Sequence, residues 1–298
     1  MDNYEVFLVG RYFCDLVFTG LPEFPRLGHE VYSQEFHMVP GGVYTPALAF
    51  HRLGVKTAWP CQFGSDPFSQ FVKVQAVSEG LDTAFFEDHS DPSLHITAAF
   101  SFKKERAFLS YTDPLPEYTY RSLIITTHPK WIYITHLVLG DELDGLVNAA
   151  CAVGAKVYMD CQAHDHSLQD PQVIDALGKV GIFSPNADEA ARLTGKDDLK
   201  AALDELSRFT QVTIIKDGSA GCYLQDKDHT INEDGIGMQV VDTTGAGDNF
   251  NCGFLYGQLR SYSLRESLRI ANICGGLSTQ GAGGSAASPF EESVRSLL

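Results

Sequence analysis

Four short apolar runs limit this chain more than any other feature. They are "WIYITHLVLG" (131–140), "AKVYMDC" (155–161), "VGIFSPN" (180–186) and "VTIIKDG" (212–218), spaced by segments with helical patterning. Near-continuous apolar runs of strand length are what a parallel strand buried on both faces requires. Strands alternating with helices predict a doubly wound, mostly parallel α/β sheet flanked by helices. "YEVFLVG" (Tyr4–Gly10) reads as a buried first strand, and "VYTPALAFHRLG" (Val43–Gly54) as a helix with Gly54 at its C′ position.

Two further stretches have a different texture. "EVYSQEFHMVPGG" (Glu30–Gly42) interleaves polar and apolar residues and predicts a half-exposed strand closing in a Pro-Gly-Gly turn. "HITAAFSFKKERAFLSYT" (His95–Thr112) predicts a hairpin turning near Lys103–Glu105. With Val31–Met38 it would form a small antiparallel sheet beside the main one.

The 298 residues are enough for one large α/β domain. A formal charge of −16 argues against nucleic acid as partner, because a phosphate backbone is held by clustered Lys and Arg. No apolar run reaches membrane-spanning length, and the acidic start lacks a signal-peptide pattern, so the expectation is a cytoplasmic protein without membrane partners. Seven scattered Cys without a C-x-x-C read as reduced thiols rather than a disulfide or zinc framework.

The chemistry concentrates in "VDTTGAGDNFNCGF" (Val241–Phe254). Asp242, Thr243 and Thr244 are N-cap types, and Phe250, Phe254, Leu255 and Leu259 follow at helical spacing. Gly245, Ala246 and Gly247 therefore stand at a helix N-terminus, where free N–H groups attract an anion such as phosphate. Asp248 would repel that anion unless it serves the acceptor, taking a proton from an attacking hydroxyl while the N–H groups hold the phosphoryl oxygens. The plainer alternative is that Asp248 only complements the helix dipole. A dinucleotide fingerprint fits less well, since Phe250 stands where its third Gly or Ala belongs, and no Gly-Lys-Ser/Thr marks a P-loop.

The same segment resembles the C-terminal signature of the ribokinase-like (PfkB) carbohydrate kinases. The likeness extends in order over nearly the whole chain: "GRYFCDLVF", Gly41–Gly42 with the helix ending "RLG", "FGSDPFS", "EGLDT", "SPNADEAARLTG" and "KDGSAG". It implies one kinase domain over residues 1–298, with a β lid from about 11–40 and 95–112 inserted in it. It also implies transfer of the ATP γ-phosphoryl group to a sugar-like hydroxyl with Mg²⁺. By that resemblance Asp248 is the base and Gly245, Ala246 and Gly247 the anion hole. Lys216, Gly218, Gly221, Asn186 and Asn272 would lie along the nucleotide. Asp15, at the end of the first strand, would hold the acceptor with Gly41, Gly42, Thr45 and His136. Glu189 would organise Mg²⁺-bound water, and Asp242, Thr244 and the Gly281–Ser285 loop would occupy a K⁺ site.

Alternatives stand beside several of these. Asn186 and Glu189 are also what a capping box looks like. His164 and His166 read as solvated loop residues rather than a metal site. Trp131 and Tyr133 read as packing, while Phe100 or Phe102 could face the acceptor. Three departures from the family pattern, Thr45 for an Asn, Phe13 for a polar residue and Gln162 for Asn or Asp, alter the acceptor pocket. A nucleoside kinase of the same fold, or a non-catalytic sugar-binding regulator, are the rival readings. An exposed lid edge predicts a homodimer through the lid.

Overall fold

A computed structural model describes residues 4–102, 105–114, 120–162, 165–281 and 283–298. In chain order the strands are β1 (Val6–Val9), β2 (Tyr12–Thr19), β3 (Glu35–Gly42), β4 (Thr57–Ala58), β5 (Cys61–Phe63), β6 (Phe86–Asp88) and β7 (His95–Phe102). They continue with β8 (Glu105–Thr112), β9 (Trp131–Ile134), β10 (Lys156–Asp160), β11 (Ile182–Ser184), β12 (Val212–Lys216), β13 (Gly221–Gln225) and β14 (Thr230–Asp234).

The main sheet runs β14-β13-β12-β11-β10-β9-β1-β4. It is parallel from β4 to β12 and antiparallel across β12–β13–β14. The four apolar runs are β9 to β12, side by side. Their alternation explains burial on both faces. Val6, Leu8, Tyr133 and Tyr158 pack into one core with Phe50, Phe254 and Ile273. Phe7, Val9, Ile132 and Met159 pack into the other with Leu143, Leu177 and Leu203.

The second sheet is ordered β3-β2-β7-β8, and the chain passes into it directly from the carboxyl end of β1. Phe102 pairs with Glu105 as the hairpin reading expects; Lys103 and Lys104 lie outside the described residues. Three expectations are corrected here. The second sheet is mixed rather than antiparallel, because β2 and β7 pair in parallel. Pro40-Gly41-Gly42 is not a turn but the end of β3, which begins only at Glu35. Asp15 does not end the first strand: it sits in the middle of β2, opposite Val39 on one side and Thr97 on the other. The chain leaves β1 at Gly10 and enters the second sheet at Tyr12, before reaching Asp15, so one stretch feeds both sheets.

Candidate active site

The helix Ala246–Leu259 begins where the sequence places an anion site, but its N-cap differs from the residues expected. Gly245 is the N-cap, with φ 70°, and no side chain caps the helix. A Cβ on Gly245 would meet the Gly284 carbonyl oxygen at 2.4 Å, so only glycine lets the two loops touch here. Asp242 is drawn away from capping. Its Oδ1 accepts from the Thr244 N–H (2.9 Å) and hydroxyl (2.8 Å), and its Oδ2 from the Gly283 N–H (2.9 Å). The helix N-terminus is left open to a ligand's oxygens, apart from a long 3.3 Å bond from the Ala246 N–H to the Thr243 carbonyl.

Asp248 is half-buried in the first turn of this helix. Burial, then the nearby Asp160 carboxylate, push its pKa up to about 7, against the opposing pull of Lys216 and Tyr133. Beneath it lies a polar network at the carboxyl ends of β9 to β12. The Tyr133 hydroxyl donates to Asp248 Oδ1 (3.4 Å) and accepts from Asn251 Nδ2 (2.9 Å). Asn251 Nδ2 also donates to Asp160 Oδ2 (2.7 Å). Asn251 Oδ1 accepts from the Tyr158 hydroxyl (2.7 Å), the Ser184 hydroxyl (3.2 Å) and Lys216 Nζ (3.4 Å). Lys216 Nζ completes the set with a buried 2.8 Å ion pair to Asp160 Oδ1. Burial alone would lower the Lys216 pKa, but Asp160, Glu189 and Asp248 around it outweigh that and hold it raised. A Cβ on Gly247 would stand 3.5 Å from the Lys216 nitrogen, so this ammonium lies directly under the glycine segment. For Lys216, expected along the nucleotide, this is the surrounding the structure gives.

Asn186 and Glu189 form the capping box: Asn186 Oδ1 accepts from the Glu189 N–H (2.9 Å), and Glu189 Oε2 from the Asn186 N–H (2.8 Å). Glu189 is 7% exposed, and burial raises its pKa, with Lys216 opposing. Among the described residues no hydrogen bond uses its Oε1. Gly218 (φ 54°) and Gly221 (φ 109°) flank the β12–β13 turn. Asn272 donates to the carbonyls of Glu233 (3.2 Å) and Asp234 (3.0 Å), fastening the end of β14 to its helix.

In the second sheet, Gly41 faces Asp15: a Cβ there would fall 2.1 Å from Asp15 Oδ2. Burial raises the Asp15 pKa to about 6, partly offset by a hydrogen bond from Thr97. Gly42 has φ 60° and closes against the Arg11 carbonyl. Thr45 is buried in the first turn of the helix Tyr44–Arg52. His136 follows β9, and burial lowers its pKa to about 4, with Arg11 adding to the effect, so it is neutral. Ser285 is buried with its hydroxyl on the Pro40 carbonyl (3.3 Å). Phe100 stacks on Phe18 at 5.7 Å. Gln162 is exposed at φ 56°. His164 lies outside the described residues, and His166 sits half-exposed 3.2 Å from Asp170.

Sequence reasoning missed Asp160, Asn251 and Tyr158, and assigned Tyr133 to packing. A signal was present: Asp160 and Lys216 are the charged last residues of two strands whose preceding residues are mostly apolar and buried, and a buried charge needs an opposite partner.

A family profile for pfkB family carbohydrate kinases matches residues 14–291. The chain belongs to that family, whose members are phosphotransferases with an alcohol group as acceptor. It is 28% identical to an uncharacterized sugar kinase of Archaeoglobus fulgidus, over 76% of this chain and 92% of that one. The ribokinase of Arabidopsis thaliana, solved with ribose and ATP, superposes with a TM-score of 0.84 at 20% identity, covering 99% of this chain and 98% of that one. A fructokinase double mutant from Vibrio cholerae O395, in fructose-, ADP- and potassium-bound form, gives 0.77 at 20% identity, over 100% and 99%. Among the described residues no helix is long and apolar enough to cross a membrane.

Proposed function

We propose that this protein transfers the γ-phosphoryl group of ATP to a hydroxyl of a sugar or sugar-like acceptor, with Asp248 as general base. The observation that carries the reading is the position of Asp248: a carboxylate with pKa near 7 in the first turn of a helix that no side chain caps. A base poised near neutral pH takes the acceptor proton onto its carboxylate as the acceptor oxygen bonds to phosphorus and the bond to ADP breaks. The N–H groups of Gly245, Ala246 and Gly247 face the phosphoryl oxygens, and Lys216 beneath them adds positive potential there. Asp15, Gly41, Gly42, Thr45 and His136 would surround the acceptor under the lid. Asn186, Gly218, Gly221 and Asn272 would border the nucleotide, Asn272 by holding the β14 end in place.

The donor sets fit the two cations of this chemistry. Among the described residues Glu189 keeps one carboxylate oxygen free of hydrogen bonds, its other oxygen serving the Asn186 N–H, which suits a carboxylate holding Mg²⁺ through water. When bound, Mg²⁺ would neutralise phosphate charge. Gly283 meets the Asp242–Thr244 turn, its N–H on Asp242 Oδ2, and Asn249 donates to the carbonyls of Gly245 (2.9 Å) and Gly284 (3.4 Å). Its buried Oδ1 has no partner among the described residues, an acceptor that a K⁺ ion in this place would satisfy. Exposed Phe36, Phe108, Leu109 and Tyr111 on the lid support a homodimer through it.

The test is ADP release from Mg·ATP with pentoses, hexoses, sugar acids and nucleosides, with the phosphorylated product identified. Turnover of a sugar class supports the reading. Turnover of nucleosides alone favours the nucleoside kinase, and ATP binding without any turnover favours the regulator.

A further inference from the structure

The lid carries a positive charge that none of the roles above uses. Arg11, Phe13 and Asp15 occupy alternate positions leading into and along β2, while Tyr12 and Cys14 between them turn into the main core. Alternation puts Arg11 on the Asp15 side of the strand. That side is polar across the sheet. Thr97 bonds Asp15 and shares a 3.0 Å hydroxyl contact with Ser110. His95 Nδ1 is 2.6 Å from the Thr112 hydroxyl, with its ring edge-on to Phe13 at 6.2 Å. Arg11 Nη1 donates to that same Thr112 hydroxyl, a long contact of 3.3 Å.

Arg11 is exposed, and among the described residues no carboxylate lies within ion-pairing distance of its guanidinium. Gly10, the residue before it, closes against Thr135 just past β9, where a Cβ would meet the Thr135 hydroxyl at 2.2 Å. The Arg11 guanidinium reaches Thr112 on β8, so it stands between the second sheet and the end of β9; His95, His136 and Tyr120 feel its charge. Burial, helped by Arg11, keeps both histidines neutral at pH 7. Asp113, the acid that follows Thr112 at the end of β8, is engaged by the Leu94 N–H (2.8 Å) and the Tyr111 hydroxyl (2.8 Å). A guanidinium that among the described residues bonds one hydroxyl and otherwise faces solvent is matched in shape and charge to a carboxylate or phosphate. In a chain of net charge −16, with Asp15, Asp160 and Asp248 near the same pocket, an anionic acceptor needs such a local cation.

We infer that Arg11 selects an acceptor bearing its own acidic group, a sugar acid or sugar phosphate, whose anionic end lies on the guanidinium while its hydroxyls lie on Asp15. This rests on the kinase reading above. The γ-phosphoryl group of ATP is the other anion that could reach Arg11, and the experiment separates the two.

Kinetics and equilibrium binding would be measured on wild type, Arg11→Gln and Arg11→Lys with matched pairs: gluconate and glucose, galacturonate and galactose, fructose 6-phosphate and fructose. The expected result is that wild type prefers the acidic member of at least one pair by about a hundredfold. Arg11→Gln should lose most of that preference, with a loss on the neutral member of at most about threefold, Arg11→Lys should recover part of it, and the KM for ATP should stay put. Equal losses on both members, or a rise confined to the KM for ATP, would overturn the inference, as would a wild type that prefers the neutral sugar in every pair. If no sugar is phosphorylated the kinase reading fails by itself, and calorimetric binding still decides this one: acids must bind wild type more tightly than their neutral partners and lose that advantage in Arg11→Gln.

Discussion

The Tyr133 hydroxyl joins the carboxylate of Asp248 to the buried amide of Asn251, donating to the first at 3.4 Å and accepting from the second at 2.9 Å. Tyr133 is fully buried on β9, so its hydroxyl has no water to fall back on, and its orientation is fixed by Asn251. The contact with Asp248 favours the ionised base. Removing it raises the pKa of a group already at about 7.

Tyr133→Phe therefore moves the acidic limb of the kcat/KM profile upward. The loss is about tenfold at pH 6.5 and about threefold or less at pH 9, where the base is ionised either way. A loss equal at all pH values would show that the hydroxyl serves packing alone.

Lys216 and Asp160 form the ion pair under the glycine segment, about nine-tenths buried on both sides. Lys216→Met leaves Asp160 buried without its cation, at a cost of about 3–5 kcal/mol, and a melting temperature lowered by roughly 10 °C. Adding Asp160→Asn restores most of that stability, because the uncompensated charge is gone. It does not restore kcat if the ammonium acts on the phosphoryl group. Recovery of both by the double variant would confine Lys216 to a structural part.

Glu189→Gln separates capping from metal handling, since Gln also serves at N3 of a capping box. The expected outcome is a melting temperature within about 3 °C of wild type and a half-saturating Mg²⁺ concentration raised about tenfold or more. A collapse in stability with an unchanged Mg²⁺ response would leave Glu189 as a cap only.

The pKa of Asp248 also bears on stability. Its folded value of about 7 lies above its ordinary value of 3.8, so between those two pH values the folded chain holds a proton the unfolded chain has released. The contribution of this group to stability is thus intact below about pH 4 and declines as pH rises through 7. Asp248→Asn removes that penalty and raises the melting temperature at pH 8 by up to about 10 °C, with little change at pH 4. An unchanged melting temperature at both pH values would contradict the raised pKa.

The sequence made the main sheet readable because strands buried on both faces cannot be polar: the runs beginning at Trp131, Ala155, Val180 and Val212 had little else to become. The lid was harder. β2 and β7 pair in parallel across a separation of about eighty residues, and local patterning carries no trace of such a partner. Gly41 and Gly42 looked like a turn because glycine permits one; here they are glycine because Asp15 and the Arg11 carbonyl come too close for a side chain. The glycine segment and Asp248 were legible from their helix-start pattern, but the cap is Gly245 rather than Asp242, Thr243 or Thr244, because Asp242 is engaged by Thr244 and by the Gly283 N–H of a distant loop. The Tyr133–Asn251–Asp160–Lys216 network was invisible as a whole, since its members come from three strands and one helix and meet only in the folded chain.

The most direct measurement is the kcat of Asp248→Asn against wild type, with Mg·ATP and the acceptor that the panel identifies, alongside nucleotide affinity. The account predicts a fall of about 10²-fold or more with ATP affinity within about threefold of wild type. Equal turnover in the two proteins would take the base role away from Asp248 and contradict the account at its centre.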